Sequence, residues 1–188
     1  MQQHGIGKNL RNQMCVSLAL LGLMIAVMPR TGAAQGSSPN NFAAHLHGAE
    51  EVPERDTQAV GQAIFQVSAD ETVLSYRLIS SNIYNIVASH IHLGAFGVNA
   101  PVVAFLAGPL DPAGGRSDGV LAEGTITAAN LVGPLAGQQL SVLIAAMRSG
   151  GTYVNVHTND GVDPTNTGPG DFPGGEIRGQ IRAAGRPQ

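Results

Sequence analysis

Apolar and polar residues alternate in short runs along most of the chain. From Phe42 onward, these runs are separated by clusters of Gly, Pro, Asp and Asn. Because successive side chains of a strand face opposite sides of a sheet, the pattern predicts half-buried strands joined by turns. We expect strands at 42–47, 60–68, 72–80, 87–93, 101–106, 119–127, 152–158 and 175–183. This indicates an all-β fold, a Greek-key antiparallel β-sandwich or barrel of about eight strands.

Two kinds of segment depart from the alternation. Residues 138–148 are rich in Leu, Ile and Ala and are followed by Gly150 and Gly151, so they form a short helix as readily as a strand. At most one short helix is therefore expected. The segments 112–118 and 158–175 are rich in Gly, Pro, Asp and Asn and are predicted as loops. The second exceeds the roughly 12–15 residues beyond which a loop tends to be functional or mobile.

The N-terminal segment has the pattern of a targeting signal. Lys8 and Arg11 precede the uncharged run 14–28, which small residues around Ala33 and Ala34 follow. A charged start, an apolar run and a small-residue cleavage site are typical of a secretory signal peptide. We therefore expect a secreted or periplasmic protein without a membrane span after cleavage. The expected division is a signal peptide at 1–34, a flexible linker at 35–41 and a folded domain at 42–184.

Composition removes several classes of function. Three of the 10 basic residues precede residue 35, so the remainder carries seven basic against 13 acidic residues, a net charge of −6. This balance disfavours nucleic acid as a partner. Cys15 is the only cysteine and would leave with the signal peptide, which removes any thiolate-based site. No catalytic motif is present, the sequence identifies no protein partner, and we lean against an enzyme.

The histidines carry the most specific chemical signal. In 87–93 the apolar Ile91 opposes His90 and His92, and in 152–158 His157 shares the non-core face of Asn155. A His-x-His pair on a strand has Cα atoms about 6–7 Å apart, close enough to bind one ion. A third imidazole from a neighbouring strand would complete a set suited to copper, zinc or nickel. We predict a metal site at His90, His92 and His157, with copper favoured; the alternative is that these are polar positions on an exposed sheet face.

Three further side chains are possible additions to this site. His45 and His47 lie on the non-core face of strand 42–47, either as a second source of ligands or as surface residues. Arg178 is predicted on the outer face of its strand together with Glu176 and Gln180, where it either pairs with a nearby acid or guides an anion. Acidic residues of the long loop could alternatively bind calcium, although loop acids are usually solvated: Asp160, Asp163 and Asp171.

Six short segments, in this order and spacing, resemble one known family. They are GAEEVP at 48–53, AVGQA at 59–63, SHIHLG at 89–94, GVNAPVV at 97–103, YVNVHT at 153–158 and GGEIRGQI at 174–181. From Phe42 to Ala183 the chain resembles the CHRD domain, named for its repeats in chordin. The resemblance implies an extracytoplasmic β-sandwich and a binding module without a settled biochemical activity.

The histidine pattern is also similar, more weakly, to that of the Cu/Zn superoxide dismutases. His90 and His92 resemble a copper-binding strand of that family, Val156-His157 a second ligand strand, and Arg178 an anion-guiding arginine. No metal-bridging histidine, zinc site or disulfide is apparent. The expected function is therefore an exported CHRD-domain protein that binds a transition metal, with a copper-dependent superoxide dismutase-like enzyme or a structural or adhesive module as alternatives.

Overall fold

The computed structural model describes residues 40–184, which form one antiparallel sheet and one α-helix. The strands are β1 Asn41–His47, β2 Val60–Val67, β3 Leu74–Tyr84, β4 Ile86–Leu93, β5 Val102–Ala107, β6 Arg116–Ile126, β7 Thr152–Thr158, β8 Ile177–Gln180 and β9 Arg182–Ala183. The helix, α1, spans Leu140–Arg148. No helix of the described part is long and apolar enough to cross a membrane.

The sheet curls into a nearly closed barrel. Its strand order is β5-β4-β7-β8-β1-β2-β3-β6, and β9 adds to β1. Strands consecutive in sequence form the pairs β4–β5, β7–β8, β1–β2 and β2–β3, and the long-range pairs are β4–β7, β8–β1 and β3–β6. At the two ends of the order, β5 comes close to β6. The predicted fold class, an all-β sandwich or barrel of about eight strands with at most one short helix, is confirmed.

Each predicted strand is present, but one predicted loop is partly wrong. Residues 112–118 were expected to be a loop, whereas β6 already begins at Arg116. The cause is that β3 continues to Tyr84, so that Tyr84 and Ile83 supply pairing partners for Arg116 and Ser117. The predicted signal peptide lies outside the described residues, as does most of the predicted linker; its last residue, Asn41, is already paired in β1.

The inward faces of the strands form one apolar core. Ile91, Val154, Val156, Ile177 and Ile181 are all fully buried in it, as the alternation predicts. The ambiguous segment 138–148 is helical from Leu140 to its end, and the helix adds to the core the side chains that recur along one of its faces: Leu140, Leu143, Ile144 and Met147. Gly150 ends the helix with a φ of +73°, a conformation in which glycine carries no steric penalty.

A seam between β5 and β6 closes the barrel without a strand ladder. The Tyr76 hydroxyl, from β3, donates to Leu106 O of β5 at 2.8 Å. Tyr76 reaches it by passing Gly124 of β6, where an added Cβ would come within 3.0 Å of the tyrosine oxygen. Val132 N donates to Val103 O of β5 at 2.9 Å. Carbonyls of β5 are therefore bound by a side chain and by the segment after β6.

Candidate metal centre

Three histidines converge on the outside of the barrel where β4 and β7 pair. His90 and His92 project from β4, and His157 projects from β7, opposite Ala88. The ring centroids are 4.8 Å apart for His90 and His157, 5.6 Å for His90 and His92, and 6.2 Å for His92 and His157. One ring nitrogen from each lies within 4.8 Å of the others, and residues 40–184 contain no other cluster of His, Cys, Asp or Glu that could hold an ion. The structure thus brings together the three residues that the sequence selects.

Loop carbonyls fix the orientation of two of the rings. His92 Nδ1 lies 2.7 Å from Ala100 O, and His157 Nδ1 lies 2.9 Å from Pro173 O. A carbonyl oxygen can only accept, so each Nδ1 carries the proton and each Nε2 keeps its lone pair. Histidines that bind metals are commonly held in this way through the other ring nitrogen. His92 Nε2 is buried and has no hydrogen-bond partner, so its lone pair is left for an ion.

The third ring is held against these two. His90 Nδ1 lies 3.1 Å from His157 Nε2. Since that Nε2 carries a lone pair, His90 donates its proton to it in the metal-free protein. The edge of Phe105 packs against His90 with ring centroids 4.6 Å apart. Phe105 is 48% exposed, so the His90 side of the cluster is the side nearest to solvent.

Burial keeps the three rings neutral. The pKa of His90 is lowered to about 4, mainly by burial and to a smaller extent by the nearby His157 and His92. Burial also lowers the pKa of His92 and of His157, although the carbonyls that accept from them act in the opposite direction. Because only a neutral imidazole can bind a metal, the cluster is ready to do so at neutral pH.

Arg178 lies beside the cluster, but it is not exposed as predicted. Its side chain is fully buried, with the guanidinium carbon 3.4 Å from the centre of the Tyr153 ring, and Tyr153 in turn stacks on His92 at 4.7 Å. Arg178 donates to oxygens of the β4–β5 connection, at 3.3, 3.2 and 3.0 Å: Asn99 Oδ1, Ala95 O and Val98 O. It therefore supports the loop that carries Ala100 O, and presents no charge at the surface to guide an anion.

Glu176 and Gln180 likewise point away from the core, as predicted, yet they are buried. Glu176 accepts from Thr57 Oγ1, Thr158 Oγ1 and Gly170 N at 2.6–2.8 Å. Gln180 Nε2 donates to Gly94 O and Gly150 O. The expectation of an exposed outer face is wrong here because loops, which strand alternation does not describe, cover this side of β8.

Glu51 is a buried carboxylate that the sequence did not single out. Burial raises its pKa to about 7, even though the charges of Arg178 and Arg55 and the nearby Asn155 amide lower it. Glu51 follows a 3₁₀ turn at Gly48–Glu50, so its side chain turns inward while Glu50 stays partly exposed. The GAEEVP segment contained the residue, but neighbouring glutamates give no sign of which one is buried.

The remaining candidates lie apart from the cluster. His45 and His47 project from the outer face of β1 and are exposed, and His47 Nε2 lies 3.5 Å from Glu50 Oε1. Two of the loop acids accept hydrogen bonds from nearby loop residues: Asp160 accepts from Val162 N, and Asp171 accepts from the backbone and hydroxyl of Thr167.

The fold and the site together define a domain with a nearly closed antiparallel β-barrel and a histidine cluster on its outer face. The family model of the CHRD domain matches residues 42–181. The chain belongs to the CHRD family. Searches among curated proteins and among solved structures each found no match.

Proposed function

We propose that this CHRD-domain protein is exported and binds one transition metal ion, copper in preference to zinc, through His90, His92 and His157. The observation that carries the proposal is the unpartnered, buried Nε2 of His92 within a cluster of three neutral imidazoles. An unpaired buried polar atom costs about 1–3 kcal/mol, and a bound ion would remove that cost. The secretory pattern at 1–34 supports export to the periplasm or beyond.

The donor set supports the choice of metal. Three imidazole nitrogens suit copper, zinc and nickel, and sites of this kind generally bind Cu(II) more tightly than Zn(II). Three protein ligands from one sheet face also leave a coordination position toward solvent. Binding, and not superoxide dismutation, is the function we propose, because the buried Arg178 is engaged by loop oxygens.

Calorimetry with the mature domain tests the proposal. The wild-type domain should bind one Cu(II) per chain and bind Zn(II) more weakly. His92→Ala and His157→Ala should each weaken copper binding about 100-fold, since each removes a direct ligand. His45→Ala is the matched control, a histidine of the same outward parity, and should leave the affinity unchanged. Unchanged affinity in His157→Ala, or no binding by the wild-type domain, contradicts the proposal.

A further inference from the structure

Asn155 occupies the middle of the histidine cluster. It lies on the outer face of β7 between Tyr153 and His157, directly opposite His90 of β4 on one side and Arg178 of β8 on the other. Its side chain is buried, yet its Oδ1 has no hydrogen-bond partner. Buried amide oxygens are nearly always paired, so this one requires an explanation.

The unpartnered oxygen adjoins another acceptor. Asn155 pairs with His90, and Tyr153 pairs with His92, so the side chains of His90, His92 and Asn155 lie on the same face of the paired strands β4 and β7. His92 has already given its Nδ1 proton to Ala100 O, however, and its Nε2 is buried and unpartnered as well. Two buried lone pairs on this face, those of Asn155 Oδ1 and His92 Nε2, thus lack a donor. A cation between them would satisfy both.

The nitrogen end of the Asn155 amide lies near Glu51. A Cβ added at Gly175 would lie 2.5 Å from Glu51 Oε1 and 2.8 Å from Asn155 Nδ2, so these two atoms meet over the bare α-carbon of the glycine. An amide nitrogen is the natural donor to a carboxyl oxygen. Nδ2 is therefore the end of the amide nearest to Glu51, and Oδ1 is the other end. Any larger residue at 175 would fill the space in which they meet.

We propose that Asn155 Oδ1 is a fourth ligand of the metal centre. This inference rests on the proposed function and deepens it, because it changes the donor set from three nitrogens to three nitrogens and one oxygen. Carbonyl oxygen is a harder donor than imidazole, thioether or thiolate. The centre is therefore built for copper as Cu(II), and not for the softer Cu(I).

Two isosteric substitutions test whether Asn155 binds the metal directly or only lies near it. Asn155→Leu keeps the volume but removes the oxygen, and should weaken Cu(II) binding at least about tenfold, the lower end of the range for residues that support a metal site. Asn155→Asp keeps an oxygen donor and should bind Cu(II) at least as tightly as the wild type. Gln66→Leu removes an exposed amide from the outer face of β2 and should change nothing.

Electron paramagnetic resonance of the copper-loaded domain gives a second measurement that does not depend on the leucine variant folding. Replacing a coordinated amide oxygen by a carboxylate should shift the parallel g value and copper hyperfine coupling in Asn155→Asp. A spectrum identical to that of the wild type, or wild-type affinity in a folded Asn155→Leu, overturns the inference. If His157→Ala loses copper while both Asn155 variants behave as wild type, the histidine site stands and only the fourth ligand is wrong.

Discussion

The two His-x-His pairs of this protein have the same sequence pattern and the same parity, but only one of them becomes part of a cluster. On β4, His90 and His92 face a neighbouring strand that supplies His157, and loops supply carbonyls for two of the rings. On β1, His45 and His47 are exposed. The spacing of a pair determines that two rings share a face; the neighbouring strand and the covering loops determine whether they can hold an ion.

The largest expected effect tests whether the barrel is held by its inner face alone. Val156→Asp would bury a carboxylate without a partner and should cost several kcal/mol, enough to unfold a domain of ordinary stability. His157→Ala, one residue along on the outer face, should cost roughly 1 kcal/mol because it leaves Pro173 O without its donor. His45→Ala should cost less still. Urea unfolding measures the free energy of unfolding of all three variants. Equal losses for Val156→Asp and His157→Ala would show that the assignment of Val156 to the inner face and His157 to the outer face is wrong.

A smaller effect concerns the stability of the metal-free domain against pH. The unfolded chain takes up protons on histidine near pH 6.5, whereas folding lowers the pKa of all three clustered rings, that of His90 to about 4. The unfolded state therefore binds more protons, and the free energy of unfolding should fall as the pH drops from about 6.5 toward 4. Denaturant titrations across this range should show a shallower fall in His90→Phe and an unchanged one in His45→Ala.

Glu51 gives this pH dependence an internal check. Its pKa is raised from 4.5 to about 7, so its contribution to stability is complete below about pH 4.5 and is lost as the pH rises through 7. It opposes the histidines in the same range. Glu51→Gln should therefore make the loss of stability on acidification steeper than in the wild type. An unchanged loss would mean that the carboxylate ionises in the folded domain much as it does in the unfolded one, and a shallower loss would mean that folding lowers its pKa.

The smallest expected effect comes from giving the exposed pair a third ring. Gln62 of β2 lies directly opposite His45, so Gln62→His places three imidazoles on one face of two paired strands. We expect measurable but weak Cu(II) binding in a background that also carries His157→Ala, because no loop carbonyl orients these rings. Affinity equal to that of the native cluster would show that orientation by loops contributes little. Calorimetry against His157→Ala alone provides the baseline.

Alternation in the sequence was enough to place the strands, the core and the three histidines. Ile91 and Val156 fall inside the barrel and His90 and His157 outside it because a strand has only two faces. Alternation could not predict which outward-facing side chains are covered by loops. Arg178 and Glu176 have the correct parity but are buried, since their surroundings come from loops distant in sequence. Glu51 was missed for a related reason: it follows a 3₁₀ turn and lies outside the strands, so strand alternation does not predict which way its side chain points.

The seam of the barrel bears on how the protein avoids aggregation. An edge strand with free carbonyls invites another chain to add to the sheet. On β5, Leu106 O is bound by the Tyr76 hydroxyl, and Val103 O is bound by the backbone at Val132. Both acceptors lie where a foreign strand would otherwise pair. Tyr76 thus occupies an acceptor to which a foreign strand would pair, as well as helping to close the barrel.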